Sequence, residues 1–254
     1  MTRFIAFINE KGGTGKTTLA VNIASYFATR KNRRVLLVDL DTQGHAGKSL
    51  GVDSRTSAPN VFHLLTDSAV TLEQVTRATA VPNLWVVPAW KEMAEFPTLA
   101  GPDVERALRL RRRLAEPASL RYDMVIFDSP PSLGLVSSNI LAAAQEVVVP
   151  VATTYLSLDG CAEIAQTVQQ VADSTNPSLR VTVVIPTMYR KTALSDEIVA
   201  KLRTYFPKKV TVPLGFNVAI DEAQSHGKTI WEYAPWSRGA TMLQTIADIV
   251  DRAA

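Results

Sequence analysis

The sequence predicts an α/β fold, a mostly parallel twisted sheet with helices on both faces. Three observations carry that expectation. Short apolar runs recur along the 254 residues. They are continuous rather than alternating, as strands covered on both faces require. Segments with helical spacing lie between them, and strand–helix alternation makes a parallel sheet.

In chain order, "FIAFI" (4–8) is the first strand and leads through a glycine-rich turn into 16–29. There Leu19, Ile23 and Phe27 fall four apart on one helical face. "VLLVD" (35–39) is the second strand, residues 51–80 are less regular, and "LWVVP" (84–88) is the third. Residues 89–102 read as a loop or irregular connection. "DVERALRLRRRLAE" (103–116) reads as a helix with Asp103 placed to cap it. "MVIFD" (124–128), "EVVVP" (146–150) and "VTVVI" (181–185) complete the strands. Between the last two, residues 157–173 set Leu158, Ala162, Ala165 and Val168 on one face. A final helix turns Met242, Ile246 and Ile249 or Val250 inward. No linker, repeat or low-complexity stretch breaks the pattern, so one domain over 1–254 is expected. Neither an N-terminal helix-turn-helix nor a C-terminal membrane helix is expected.

Composition narrows the function classes. Hydrophobic residues make up 46% and charged residues 20%, as in an ordinary soluble globule. No apolar run approaches the roughly 18 residues of a membrane helix, and the N-terminus lacks a signal-peptide layout. One cysteine, Cys161, cannot form an intrachain disulfide, and three scattered histidines argue against a zinc cluster. A reducing cytoplasm is the default. The net charge of +3 is mild, so any nucleic-acid surface has to be a local patch.

The chemistry concentrates in "NEKGGTGKTTLA" (9–20). A strand, then glycines, then Lys-Thr and a helix binds phosphate with its backbone, because converging N–H groups and the helix N-terminus face the anion. Gly12, Gly13, Thr14 and Gly15 form the turn. Lys16 is expected at the terminal phosphates and the Thr17 hydroxyl at Mg²⁺, with Thr18 beside it. The pattern G-x-x-x-x-G-K-[ST] is met incompletely: its first glycine falls on Glu10, and an extra cation, Lys11, precedes the turn. Asp39 and Asp128 end two buried strands, and Asp41 follows the first of them. Ligands of open parallel sheets gather at such ends, where three carboxylates suit Mg²⁺ and its waters. The alternative is that these acids cap the following helices.

Four ordered motifs, "KGGTGKTT", "VLLVDLDTQG", "YDMVIFDSPPSLG" and "PTMYRKT", resemble the ParA/MinD family of deviant Walker A ATPases, and the ParA-like (Soj-like) partition branch most. The resemblance runs from about residue 3 to about 250 and implies a P-loop nucleotide-hydrolase fold. It implies that ATP and Mg²⁺ are sandwiched in a homodimer, with Lys11 reaching into the partner subunit's ATP. It further implies that Asp41 positions the attacking water and that Asp39 and Asp128 join Thr17 in the Mg²⁺ shell. Residues 41–47 and 128–134 correspond to the two switch loops, and Pro186, Met188, Phe216 and Asn217 to the adenine-binding edge.

The implied function is an ATPase that is weak alone and stimulated by a ParB-like or cargo-adaptor partner. Its ATP dimer is expected to bind DNA without sequence preference in the nucleoid and to position DNA or another cargo. Arg190, Lys191, Arg203 and Arg238 are the candidate DNA contacts, with Lys201, Lys208 and Lys209 further cations. One departure bears on this. Many partition ATPases carry "RNVRLSEAPSHG" where this chain has "FNVAIDEAQSHG" (216–227), so Phe216 and Ala219 replace two arginines implied in DNA binding. Arg106, Arg109 and Arg113 share one helical face, as a substitute patch or as an ordinary solvated one. A MinD-like regulator on a membrane or protein scaffold is the alternative, although "IADIVDRAA" is poor in basic charge for a membrane helix. An iron–sulfur ATPase lacks its cysteines. A small-molecule ligase built on the same cradle fits the later motifs less well.

Overall fold

The computed structural model describes residues 2–101, 105–115, 121–154 and 157–253. Its strands are β1 (Arg3–Phe7), β2 (Val35–Asp39), β3 (Arg77–Ala78), β4 (Leu84–Val87), β5 (Met124–Asp128), β6 (Glu146–Ala152) and β7 (Arg180–Thr187). The helices begin with α1 (Lys16–Arg30), α2 (His45–Ser49), α3 (Val61–Thr66), α4 (Leu72–Val75), α5 (Phe96–Leu99) and α6 (Arg109–Leu114). They continue with α7 (Leu135–Ala143), α8 (Ser157–Ser174), α9 (Ala193–Tyr205), α10 (Val218–Ser225), α11 (Ile230–Tyr233) and α12 (Arg238–Arg252).

The strands form one sheet in the order β3-β4-β2-β5-β1-β6-β7, parallel except for the β3–β4 pair. Successive residues of each strand point to opposite faces, and both faces are covered. Ile5 and Phe7 of β1, with Val35 and Leu37 of β2, join one buried layer under α1 and α12. Ala6 and Ile8, with Leu36 and Val38, join the other, against α7 and α8. That double burial is why these runs are apolar throughout. The six strands expected from sequence are all present. The two-residue β3 at the edge is an addition.

Four local expectations are corrected. Residues 91–94 and 96–99 are short helical turns rather than irregular loop. The helix expected over 103–116 narrows to α6, preceded by a 3₁₀ turn at Arg106–Leu108. Its Leu110 N–H is taken by Asn139 Oδ1 of α7 at 3.1 Å, so a tertiary contact satisfies the helix start. Asp103 lies outside the described residues. On α8 the inward face runs through Cys161, Ile164 and Val168, and Ala162 is exposed. On α12 Leu243, Ile246, Ala247 and Val250 are buried, whereas Met242 and Ile249 are half-buried. The arcs are displaced because each helix packs into a groove set by the sheet, which spacing alone does not reveal.

Candidate functional site

The loop after β1 is held from three sides. Asn9, buried at its start, donates from Nδ2 to the Pro150 carbonyl (2.6 Å) and accepts the Lys11 N–H on Oδ1 (3.0 Å). Thr187 Oγ1, at the end of β7, donates to the Thr14 carbonyl (2.8 Å). Ser129 Oγ, just after β5, donates to the Phe7 carbonyl (2.8 Å). Gly13 and Gly15 have φ of 72° and 84°, the left-handed region that residues with a Cβ avoid, and Gly15 is the N-cap of α1. The loop therefore curls and delivers the α1 N-terminus to the cleft it bounds. Lys16 begins that helix, is only 6% exposed, and donates from Nζ to the Lys11 carbonyl at 3.0 Å. Burial lowers its pKa, while the Asp128 and Asp41 carboxylates oppose the shift.

The three acids meet at the carboxyl ends of β2 and β5, and Asp39 pairs in register with Asp128. Asp39 is fully buried. Its Oδ1 accepts the Asp41 N–H and its Oδ2 the Ala46 N–H, both at 3.0 Å, so it organises the loop and the α2 start. Asp128 is equally buried, and neither of its oxygens has a hydrogen-bond partner among the described residues. Burial pushes both carboxyls up, Asp128 to about 7, with Asp128 adding to the rise at Asp39 and the Asp41 carboxylate raising both. The Thr17 hydroxyl stands close enough to Asp128 to pull the other way, although no well-formed hydrogen bond joins them. Asp41 accepts the Gln43 N–H (3.0 Å) and lines the cleft. Gly44 follows with φ of 59°, and a Cβ there would sit 2.5 Å from the Ala89 carbonyl oxygen, so the turn tolerates no side chain.

Among the described residues no group of three or more His, Cys, Asp or Glu could hold a metal ion by itself. A Mg²⁺ ion here needs a hydroxyl or water oxygens beside any single carboxylate. The Thr17 hydroxyl and the orphaned Asp128 oxygens fit that need, directly or through water. Asp39 is placed one step further out, since both of its oxygens are occupied.

Gly12 to Thr18 and Asp41 line a cleft of about 770 Å³, a size that suits a small ligand. Met188 edges it, and a smaller hollow beside it is walled by Met188, Phe216 and Asn217. Two expected contacts lie elsewhere. Pro186 is buried within β7, where its carbonyl accepts the Leu214 N–H, so it supports the edge and does not line it. Lys11 does not line the cleft of its own chain, and its Cε lies 3.6 Å from where a Cβ on Gly160 of α8 would be. Sequence reading missed Asn9, Thr187, Lys48 and Gln224. Lys48 donates to the Gln43 carbonyl (2.9 Å), lies 4.7 Å from the Trp90 ring centre and lines the cleft. Gln224 accepts from the Thr18 hydroxyl (3.2 Å). Asn9, Thr187 and Gln224 had a signal, their places in "NEKGGTGKTTLA", "PTMYRKT" and "FNVAIDEAQSHG", and Lys48 had none.

The structure also sorts the cations. Arg106, Arg109 and Arg113 donate to backbone carbonyls, of Gly101, of Leu65 and Ala100, and of Ser68 and Val70 respectively. That face ties loops together, and is neither a plain solvated face nor a free basic patch. Arg190, Lys191, Arg203 and Arg238 are exposed, and their side chains make no hydrogen bond or ion pair among the described residues. Arg203 stands apart from Lys191, since ten residues of α9 put about 15 Å between Ala193 and Arg203.

Comparison with known proteins bears on family and fold. A family model described as an AAA domain matches residues 2–181. The Bacillus subtilis sporulation initiation inhibitor protein Soj is 39% identical over 249 residues, 97% of each chain. The Thermus thermophilus chromosome-partitioning ATPase Soj is 41% identical, over 98% of this chain and 95% of its own. Among solved structures, a Mycobacterium smegmatis protein described as cobyrinic acid a,c-diamide synthase, with bound ATP analogue and magnesium, superposes with a TM-score of 0.86. It is 30% identical and covers 99% of this chain and 95% of its own.

Proposed function

The chain belongs to the ParA/MinD family of ATPases, in its ParA-like (Soj-like) partition branch, and on that premise we propose that it is a nucleotide-switched dimer that positions DNA or another cargo. One observation carries the chemical part. Lys16, Thr17 and Asp41 line one cleft at the end of a loop curled by left-handed glycines, with the Asp128 carboxyl buried within electrostatic reach of all three.

ATP lies with its phosphates along Gly12 to Lys16 and its base toward Met188, Phe216 and Asn217. Lys16 leaves the Lys11 carbonyl for the β- and γ-phosphates. Thr17 and Asp128 would hold Mg²⁺, which would offset the charge of the polyphosphate. Asp41 orients a water in line with the γ-phosphorus. The water oxygen bonds to that phosphorus as the bond to the β–γ bridging oxygen breaks, giving ADP and phosphate. Lys11 serves the partner subunit's nucleotide, which accords with its place outside its own cleft. Assembly then depends on the triphosphate, and hydrolysis, stimulated by a ParB-like or cargo-adaptor protein, releases it.

The ATP dimer binds DNA through exposed cations without reading sequence, so binding weakens steeply with salt. This makes the protein cytoplasmic and nucleoid-associated. The test is DNA binding with no nucleotide, ADP and ATP at two salt concentrations. ATP-dependent, salt-sensitive binding supports the reading, and no gain with ATP at low salt overturns it. The likeness to the structure described as a diamide synthase favours a second reading, an ATP-dependent ligase acting on a carboxylate. ATP turnover that appears only with a small carboxylate and an amide nitrogen donor would favour that alternative.

A further inference from the structure

In the loop after β2, which carries Asp41, Gln43 is tied at both of its backbone groups. Its N–H donates to Asp41 Oδ1 at 3.0 Å, and its carbonyl accepts from Lys48 Nζ of α2 at 2.9 Å. The Thr42 hydroxyl also donates to Asp41 Oδ1, at 3.4 Å, which leaves Oδ2 without a hydrogen bond among the described residues. Lys48 rests in turn on an aromatic face, its Nζ 4.7 Å from the centre of the Trp90 ring. A chain of contacts therefore runs from Trp90 through Lys48 and the Gln43 peptide to the Asp41 carboxylate.

The two sides of this loop are held unequally. At the back, the Gly44 carbonyl accepts from Ser54 Oγ at 3.2 Å, and a Cβ on Gly47 would sit 2.5 Å from that same hydroxyl. Gly44 itself abuts the Ala89 carbonyl, one residue before Trp90. The segment that anchors the back of the loop thus also presents the ring. At the front, Gln43 and Lys48 are exposed and line the cleft. There the loop is held by a charge-assisted bond, stronger than a neutral one. The ring face restricts where the ammonium can swing.

We propose that Lys48 is a positioning residue for ATP hydrolysis, fixing the Gln43 peptide so that Asp41 keeps its carboxylate aimed at the attacking water. The proposal rests on the role given to Asp41 above and adds the device that orients it. Acting through the loop, Lys48 governs the rate and leaves ATP binding alone. The phosphate loop has its own supports in Asn9 and Thr187. The competing role is that of a phosphate ligand, since Lys16 also rests on a backbone carbonyl of the same cleft. Such a ligand would show itself in affinity.

The test measures single-turnover hydrolysis of Mg-ATP, binding of a non-hydrolysable ATP analogue by calorimetry, and dimer mass by light scattering. The wild type is compared with Lys48→Ala, Lys48→Arg and Trp90→Leu. The expected result is hydrolysis about tenfold slower in Lys48→Ala, with analogue affinity and mass unchanged. Lys48→Arg regains most of the rate, and Trp90→Leu loses about threefold. Added to Asp41→Ala, Lys48→Ala slows the residual rate less than about twofold further, because the two act as one unit. If Lys48→Ala weakens analogue binding about tenfold at an unchanged rate, Lys48 is a phosphate ligand and the proposal fails. If Lys48→Ala hydrolyses as the wild type does while Asp41→Ala does not, the proposal fails and the role of Asp41 stands. If Asp41→Ala also hydrolyses normally, both fail.

Discussion

Asp39 and Asp128 sit opposite each other in register on β2 and β5, both fully buried, yet Asp39 has a backbone N–H on each oxygen and Asp128 has none. Two like residues at equivalent strand ends thus do different things. One builds the loop that carries Asp41, and the other keeps both oxygens without a hydrogen-bond partner among the described residues.

The pH dependence of the ligand-free protein follows from Asp128. Its carboxyl rises from 3.8 to about 7, chiefly by burial. Between those values the folded chain keeps a proton that the unfolded chain releases, so this contribution to stability is greatest below about pH 4 and falls as pH rises toward 7. Asp128→Asn removes the dependence. Without Mg²⁺ or nucleotide, thermal unfolding at about pH 8 should show this variant more stable than the wild type, on the order of 2 kcal/mol. A less stable variant would mean that the carboxylate has partners in the folded state.

Asp39→Ala acts in the opposite direction. It leaves the Asp41 and Ala46 N–H groups without acceptors at a buried position, which costs roughly 1–3 kcal/mol. Hydrogen exchange should show those two amides opening at least tenfold faster, while α12 amides keep their protection. Unchanged exchange at Ala46 would contradict the assignment of Asp39 as the loop's organiser.

Asn9→Ala tests the clasp on the phosphate loop. Losing the bonds to the Pro150 carbonyl and from the Lys11 N–H should destabilise the fold by about 1–3 kcal/mol and weaken ADP binding about tenfold or more. Calorimetry reads both. Thr187→Val, which removes only the hydroxyl bond to Thr14, should lie between Asn9→Ala and the wild type.

Arg113 and Arg238 separate structure from surface. Arg113→Ala frees the Ser68 and Val70 carbonyls and should cost about 1–2 kcal/mol with no change in DNA affinity. Arg238→Ala should leave the melting temperature unchanged and weaken DNA binding. Unfolding curves and DNA titrations on both variants decide it, and a reversed pattern would return the Arg106–Arg113 face to the list of basic patches.

Strands, glycine turn and acids were legible because each is written locally. A buried strand spells itself in consecutive β-branched and leucine residues, and the phosphate loop in glycines before Lys16. What escaped was decided across long separations. Asn9 finds its partner at Pro150, Thr187 at Thr14 and Leu110 at Asn139, and no window of sequence contains both ends. The division of labour between Asp39 and Asp128 was hidden for the same reason. Each reads as an aspartate closing a strand, and only the folded loop shows which has its oxygens filled. At β3 two residues were too few to make a pattern.

The proposed switch requires that a triphosphate join two copies of this chain, each lending Lys11 to the other. Light scattering on Asp41→Ala saturated with Mg-ATP tests it most directly, beside the same variant carrying Lys11→Ala. The account predicts twice the chain mass for Asp41→Ala and a single-chain mass once Lys11 is removed, with nucleotide still bound to Lys16 in both. A single-chain mass for Asp41→Ala at saturating nucleotide, or a dimer indifferent to Lys11, would contradict it.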